Sequence, residues 1–143
     1  MNATIPLPSN FDLLDFKRLE LSAVNVIATE AKAIAELKHR IDAHFHHACE
    51  LMFNCRGRIV VTGMGKSGHI GRKIAATLAS TGSPAFFVHP GEASHGDLGM
   101  ITLDDVVLAL SNSGETEELL TIVPSLKRKG TALIVLSGNA NSA

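Results

Sequence analysis

Residues 60–71 read Val-Val-Thr-Gly-Met-Gly-Lys-Ser-Gly-His-Ile-Gly, an apolar run that passes through a glycine-rich turn into a helical pattern. Two nucleotide motifs compete for this stretch. Gly63, Gly65 and Gly68 have the G-x-G-x-x-G spacing of a dinucleotide-binding turn, and Gly65-Lys66-Ser67 matches the tail of a P-loop. Neither motif completes. A P-loop needs a glycine five positions before the Gly-Lys pair, where Val60 stands. A dinucleotide fold needs an acidic residue about 20 residues on, at the end of the second strand. There the chain reads Val88-His89-Pro90, with Glu92 only beyond it. What survives is the physics both motifs share: a glycine turn at a helix N-terminus lets backbone N–H groups approach an anion, and the helix dipole favours it. Lys66 adds a full positive charge. A tight strand-to-helix turn with a solvated lysine is the plainer account of the same residues.

Working outward, four short β-rich runs are predicted at Arg58–Thr62, Ala85–His89, Val106–Leu110 and Ala132–Ser137. They are almost continuously apolar, as in a sheet covered on both faces. Helical spacing follows the first run (Ile70, Ile74, Ala75, Leu78) and the third (Leu119, Ile122, Val123, Leu126), and Gly82 and Gly130 stand where those helices should end. This is βαβ repetition. The expected fold is α/β, a doubly wound parallel sheet with ligands at the carboxyl ends of its strands. The chain stops at Ala143, just past the fourth run, so the sheet is expected to be unfinished.

No Gly or Pro occurs between Pro8 and Gly57. Apolar residues recur there at steps of three and four: Phe16, Leu19, Ala23, Ile27, Ala31 and Ile34, then Leu37, Ile41, Phe45, Ala48 and Met52. One helix of that length would run about 70 Å at ~1.5 Å per residue, so two helices with a break near residues 35–40 are predicted. The division expected is an N-terminal helical arm over 1–56 and the α/β domain over 57–143. The stripe suits either a core-facing surface or a contact with another subunit.

Composition narrows the class. The chain has 143 residues, 45% of them apolar, and a formal net charge of −1. No basic run exceeds Lys127-Arg128-Lys129, which argues against nucleic acid as a partner. No apolar run approaches the roughly 20 residues that span a bilayer, and MNATIPLPSN lacks a signal-peptide pattern. Cys49 and Cys55 form no C-x-x-C motif, so neither a disulfide framework nor a zinc site is implied. A cytoplasmic location is expected. His44, His46 and His47 read as a solvated face of the arm.

The third strand ends in Ser111-Asn112-Ser113-Gly114-Glu115-Thr116, with a helix expected from near Glu115. Hydroxyl donors, a glycine permitting close approach and a helix N-terminus can surround a phosphate without a basic side chain. Ordinary N-capping would need only one of these residues. Glu115, Glu117 and Glu118 cannot all face an anion, but one of them turned to the site would suit proton transfer. The long segment from His89 to Met100 carries His89 and His95, candidates for acid–base, sugar or metal contacts. Asp97 reads as a loop brace.

Together these residues resemble the sugar isomerase (SIS) fold, and within it the D-arabinose 5-phosphate isomerases of the KpsF/GutQ type. The likeness rests on GMGKSGHIGRKIAATLASTGSPAFFVHPGEASHGDLGM and on SNSGETEE, and it covers nearly the whole chain from about Phe11. It implies interconversion of D-ribulose 5-phosphate and D-arabinose 5-phosphate, a step toward the KDO sugar of lipopolysaccharide or capsule. It also implies the roles of single residues. Ser111, Asn112, Ser113, Gly114 and Thr116 would cradle the phosphate, with Gly82, Ser83 and Thr121 among the substrate contacts. Lys66, Glu118 and His95 would serve the reaction, His95 also touching substrate, and His89 would be a site where zinc can bind and inhibit. No cofactor is required. Family members form tetramers that share active sites, and they continue into a further catalytic glutamate and histidine, so the principal base is expected outside these residues. The rival reading is a non-catalytic phosphosugar-binding module of regulatory type, which would share the serine cradle without needing Lys66, Glu118 and His95. The arm shows neither the charge nor the turn of the helix-turn-helix such regulators usually carry.

Overall fold

The computed structural model describes residues 13–94 and 96–142, with side chains from Phe16 onward. The chain divides into two compact units between Phe45 and His46, eleven residues before the boundary expected from composition. The reason is α2 (Ala43–Phe53), whose later half belongs with the second unit: Met52 packs against the Ile59–Val61–Leu108 cluster. Asp42 starts this helix, its Oδ1 accepting the N–H groups of His44 and Phe45.

In the first unit, α1 (Leu13–Glu36) gives way to a 3-10 turn over Leu37–Arg40, the break the 70 Å argument required. The stripe residues of α1 are exposed, Ile27 to 68% and Ile34 to 68%.

The second unit is a four-stranded sheet of β1 (Ile59–Gly63), β2 (Ala85–Val88), β3 (Val106–Ser111) and β4 (Ala132–Ser137). All pairings are parallel and the order is β2-β1-β3-β4. Helix α3 (Gly65–Ser80) joins β1 to β2, the short α4 (Pro90–Ser94) and a 3-10 turn (Asp97–Met100) lie between β2 and β3, and α5 (Glu117–Lys129) joins β3 to β4. The strand runs fall within a residue of their predicted limits. Helix α5 begins two residues later than expected, because Thr116 takes the N-cap position.

Alternation along the buried strands sends side chains to two cores. Val60, Val88, Val107 and Ala109 meet Ala93 of α4 and Leu119, Ile122 and Leu126 of α5. Ile59, Val61, Leu108 and Leu110 meet Ala75 of α3. Both faces are thus covered, which explains the continuous apolar strand runs. Both helices that return to the sheet end as their glycines foretold. Gly130 (φ 74°) is left-handed, with Thr131 N–H reaching the Leu126 carbonyl at 3.2 Å; Gly82 (φ 98°) lets Ser83 N–H reach Leu78 at 2.9 Å.

Candidate functional site

The strand order reverses between β1 and β3, so their carboxyl-end loops diverge to opposite faces and leave a crevice there. The opening glycines now have separate tasks. A Cβ on Gly68 would stand 2.7 Å from the Gly63 carbonyl oxygen, and one on Gly71 3.0 Å from the Phe87 ring, so these two let α3 lie close on the sheet. Gly65 (φ 52°) turns the chain and has open space around it. Met64, the N-cap of α3, makes no side-chain cap bond, and the first amides of α3 open beside Lys66 and Ser67.

On the neighbouring strand, Ser111 is buried and its Oγ accepts the Gly114 N–H at 3.0 Å. The Ser111 and Thr116 hydroxyls lie 2.8 Å apart, and Ser113 Oγ accepts the Glu115 N–H at 3.1 Å. Hydrogen counting shows what this turn can do. Each hydroxyl that accepts an amide keeps its own proton to donate. The Ser111–Thr116 pair uses one proton internally, so three hydroxyls leave two protons to donate. Gly114 is left-handed (φ 73°). With the N-terminus of α5 following it, the turn is held by its own bonds and has the donor chemistry that an anion takes.

Lys66, Ser67, Ser111 and Asn112 line a cavity of about 360 Å³ whose far wall is Leu136, Ser137 and Gly138 at the end of β4. Gly138 N–H donates to the Asn112 carbonyl at 3.1 Å, tying the β4 loop to the cradle. Ser67, Ser137 and Gly138 were not singled out from the sequence. The rule that ligands gather at carboxyl ends of parallel strands, applied to β4 as it was to β3, would have found the last two.

The remaining expected residues are dispersed. Glu118 sits exposed in the first turn of α5 and does not line this cavity. Thr121 is exposed one turn on, its hydroxyl donating to the Glu117 carbonyl at 2.9 Å. His89 follows β2, with Nδ1 accepting the Gly91 N–H at 3.2 Å, which leaves Nε2 as the nitrogen a metal could take. Among the described residues no three His, Cys, Asp or Glu side chains gather as a metal site. His95 lies outside the described residues. Gly82 and Ser83 are not brought to the cradle within one chain. They precede β2 at the amino-terminal edge, where Pro84 accepts the Ile59 N–H, a strand length of about 17 Å away at ~3.3 Å per residue. They line a separate cavity of about 280 Å³ there with Phe53, Cys55 and Gly57. A larger cavity, about 420 Å³, also lies at that edge, lined by charged groups of both signs that include Glu50, Arg56 and Asp104.

An α/β domain with a hydroxyl-rich turn at its switch point is the class that fold and site define. Residues 52–143 match the SIS domain, and the chain belongs to that family. It is 57% identical over 134 residues to the arabinose 5-phosphate isomerase KdsD of Yersinia pestis, covering 94% of this chain and 41% of the relative. It is 61% identical over 121 residues to KdsD of Pseudomonas aeruginosa, covering 85% and 37%. The chain therefore spans about two fifths of the length of the curated relatives it matches. Among solved structures, an Escherichia coli CFT073 protein in complex with arabinose 5-phosphate superposes with a TM-score of 0.83 at 44% identity, over 93% of this chain and 69% of that one. Phosphoheptose isomerase from Neisseria gonorrhoeae, at 19% identity and TM-score 0.70, shares the fold. No described helix is long and apolar enough to cross a membrane.

Proposed function

We propose that this chain is the phosphosugar-binding part of an aldose–ketose isomerase that interconverts D-ribulose 5-phosphate and D-arabinose 5-phosphate. The observation that carries the reading is the Ser111–Thr116 turn, which keeps two hydroxyl protons to donate and whose Ser111 and Asn112 line a cavity shared with Lys66. The names of the relatives above support the choice of sugar. Phosphate held in the cradle fixes the far end of the substrate, and that remote binding energy orients the reacting carbons. A base takes a proton from C1 of the open-chain ketose, a cis-enediolate forms, and a proton returns at C2. The Lys66 ammonium would stabilise the enediolate oxygens; Glu118 and His95 would carry protons or hold hydroxyls. The principal base would lie in the part of the longer relatives that this chain does not span. No cofactor enters the reaction, and zinc on His89 would inhibit by competing for the loop. A cytoplasmic tetramer in which α1 contacts another subunit, serving KDO formation, completes the reading.

Calorimetric titration with D-arabinose 5-phosphate tests it, with ribose 5-phosphate and NADH as controls. Selective binding is expected, weakened at least tenfold in Ser113→Ala, which removes one charge-assisted hydrogen bond. A folded chain that binds no sugar phosphate sinks the reading. Binding to the sugar phosphate without turnover, even by a chain extended to the relatives' length, would favour the regulatory binding module instead.

A further inference from the structure

Thr62 interrupts an apolar strand. Ile59, Val60 and Val61 precede it, and it is 2% exposed, yet its Oγ1 has no hydrogen-bond partner among the described residues. Valine has nearly the same shape without a hydroxyl to desolvate, so a buried unpartnered threonine disfavours the fold unless something answers it. Its surroundings say where that partner lies. Thr62 pairs with Val88 and Ala109 in register, on the face of the sheet that carries the Val60 and Leu119 cluster. Ser111 lies on this same face, two residues beyond Ala109 on the adjacent strand. Above it, the Ser111–Thr116 pair has lone pairs to spare, and which hydroxyl donates to the other is open.

We propose that Thr62 is a positioning residue that holds one enclosed water beneath the anion cradle. Thr62 donates to the water, the water to Thr116, and Thr116 to Ser111. Ser111 Oγ, already accepting the Gly114 N–H, then has a single task for its own proton, donation to the bound phosphate. A buried water with polar groups on two or more sides is stably held, and a chain of hydroxyls aligned in one direction strengthens its last bond. The inference rests on the cradle reading above.

Two measurements on the 143-residue chain separate this proposal from that reading. Water-to-protein cross-relaxation in NMR looks for a long-lived water beside the Thr62 methyl group, with no ligand present; calorimetry with inorganic phosphate measures the cradle. The water signal is expected in the wild type and in Thr62→Ser, and lost in Thr62→Val. Thr62→Val is expected to melt no lower than wild type while binding phosphate about tenfold more weakly, and Thr62→Ser to bind as wild type. A wild type without the water signal overturns the proposal, as does a Thr62→Val chain that binds phosphate with unchanged affinity. A wild type that binds no phosphate overturns the cradle, and the water signal still decides whether Thr62 holds its water.

Discussion

Gly68 sets the distance between α3 and β1. A methyl group there would meet the Gly63 carbonyl oxygen at 2.7 Å, and backbone cannot move aside as a side-chain tip can. Gly68→Ala is expected to destabilise the fold by about 1–3 kcal/mol, read from the urea midpoint. Gly65→Ala meets open space, so only its left-handed backbone is strained, at about 1 kcal/mol. The sequence showed that three glycines mattered but not which task each had, because spacing alone cannot separate a turn from a close contact. Ser111, Ser113 and Thr116 were legible as donors. The bond between Ser111 and Thr116 and the amides that Ser111 and Ser113 accept were not, since these depend on the loop's φ and ψ rather than on residue type. His89 was legible as a histidine after a strand; that its Nδ1 is taken by Gly91 N–H needed the three-dimensional turn.

Within the elements, α5 joins the cradle at one end to a clamp at the other. Lys129 donates to the carbonyls of Leu98 and Ile101, and Thr131 to that of Thr102 at 3.1 Å. Leu126, 1% exposed, anchors the helix between them. Leu126→Ala is expected to cost about 2–5 kcal/mol in equilibrium unfolding. At the start of β3, Asp105 is buried and braces three segments. It accepts the Arg58 N–H at 2.7 Å and the Thr102 N–H at 2.8 Å, with the Arg58 guanidinium 3.8 Å away. Burial alone would raise its pKa, but the N–H groups of Thr102 and Arg58, the Thr102 hydroxyl and the Arg58 charge outweigh it and hold the carboxyl below its ordinary value. A depressed folded-state pKa contributes stability that is full above the unfolded value near ~3.9 and is lost as pH falls through the folded one. Thermal scans between pH 2 and 6 should therefore show an acid loss of stability that is shallower in Asp105→Asn, which should also melt lower at neutral pH. The strands and helices were readable because an apolar run between turn residues and a 3.6-residue stripe are local patterns. The Asp105 brace joins residues 47 apart in sequence, and no local pattern reports it.

At the scale of the molecule, the two units carry different surfaces. The α/β unit has two buried cores, whereas α1 exposes Leu19, Val24, Ile27 and Ile34. Removing residues 1–41, which keeps the Asp42 cap of α2, is expected to leave a cooperative thermal transition and phosphate binding intact. Sedimentation should then show smaller species than the intact chain forms; an unchanged assembly would remove α1 from the proposed subunit contact. By itself, the sequence determined the fold class, the strand and helix runs, the break after α1 and the residue types of the cradle. All of these follow from short-range periodicity, turn chemistry and hydrogen-bonding capacity. Only the tertiary structure decided which of those residues meet. Parallel pairing in the order β2-β1-β3-β4 brings Lys66 beside Ser111 and sends Gly82 and Ser83 to the opposite edge. That sorting depends on strand order and direction, which are set by how two cores are buried at once and not by any single stretch of the chain.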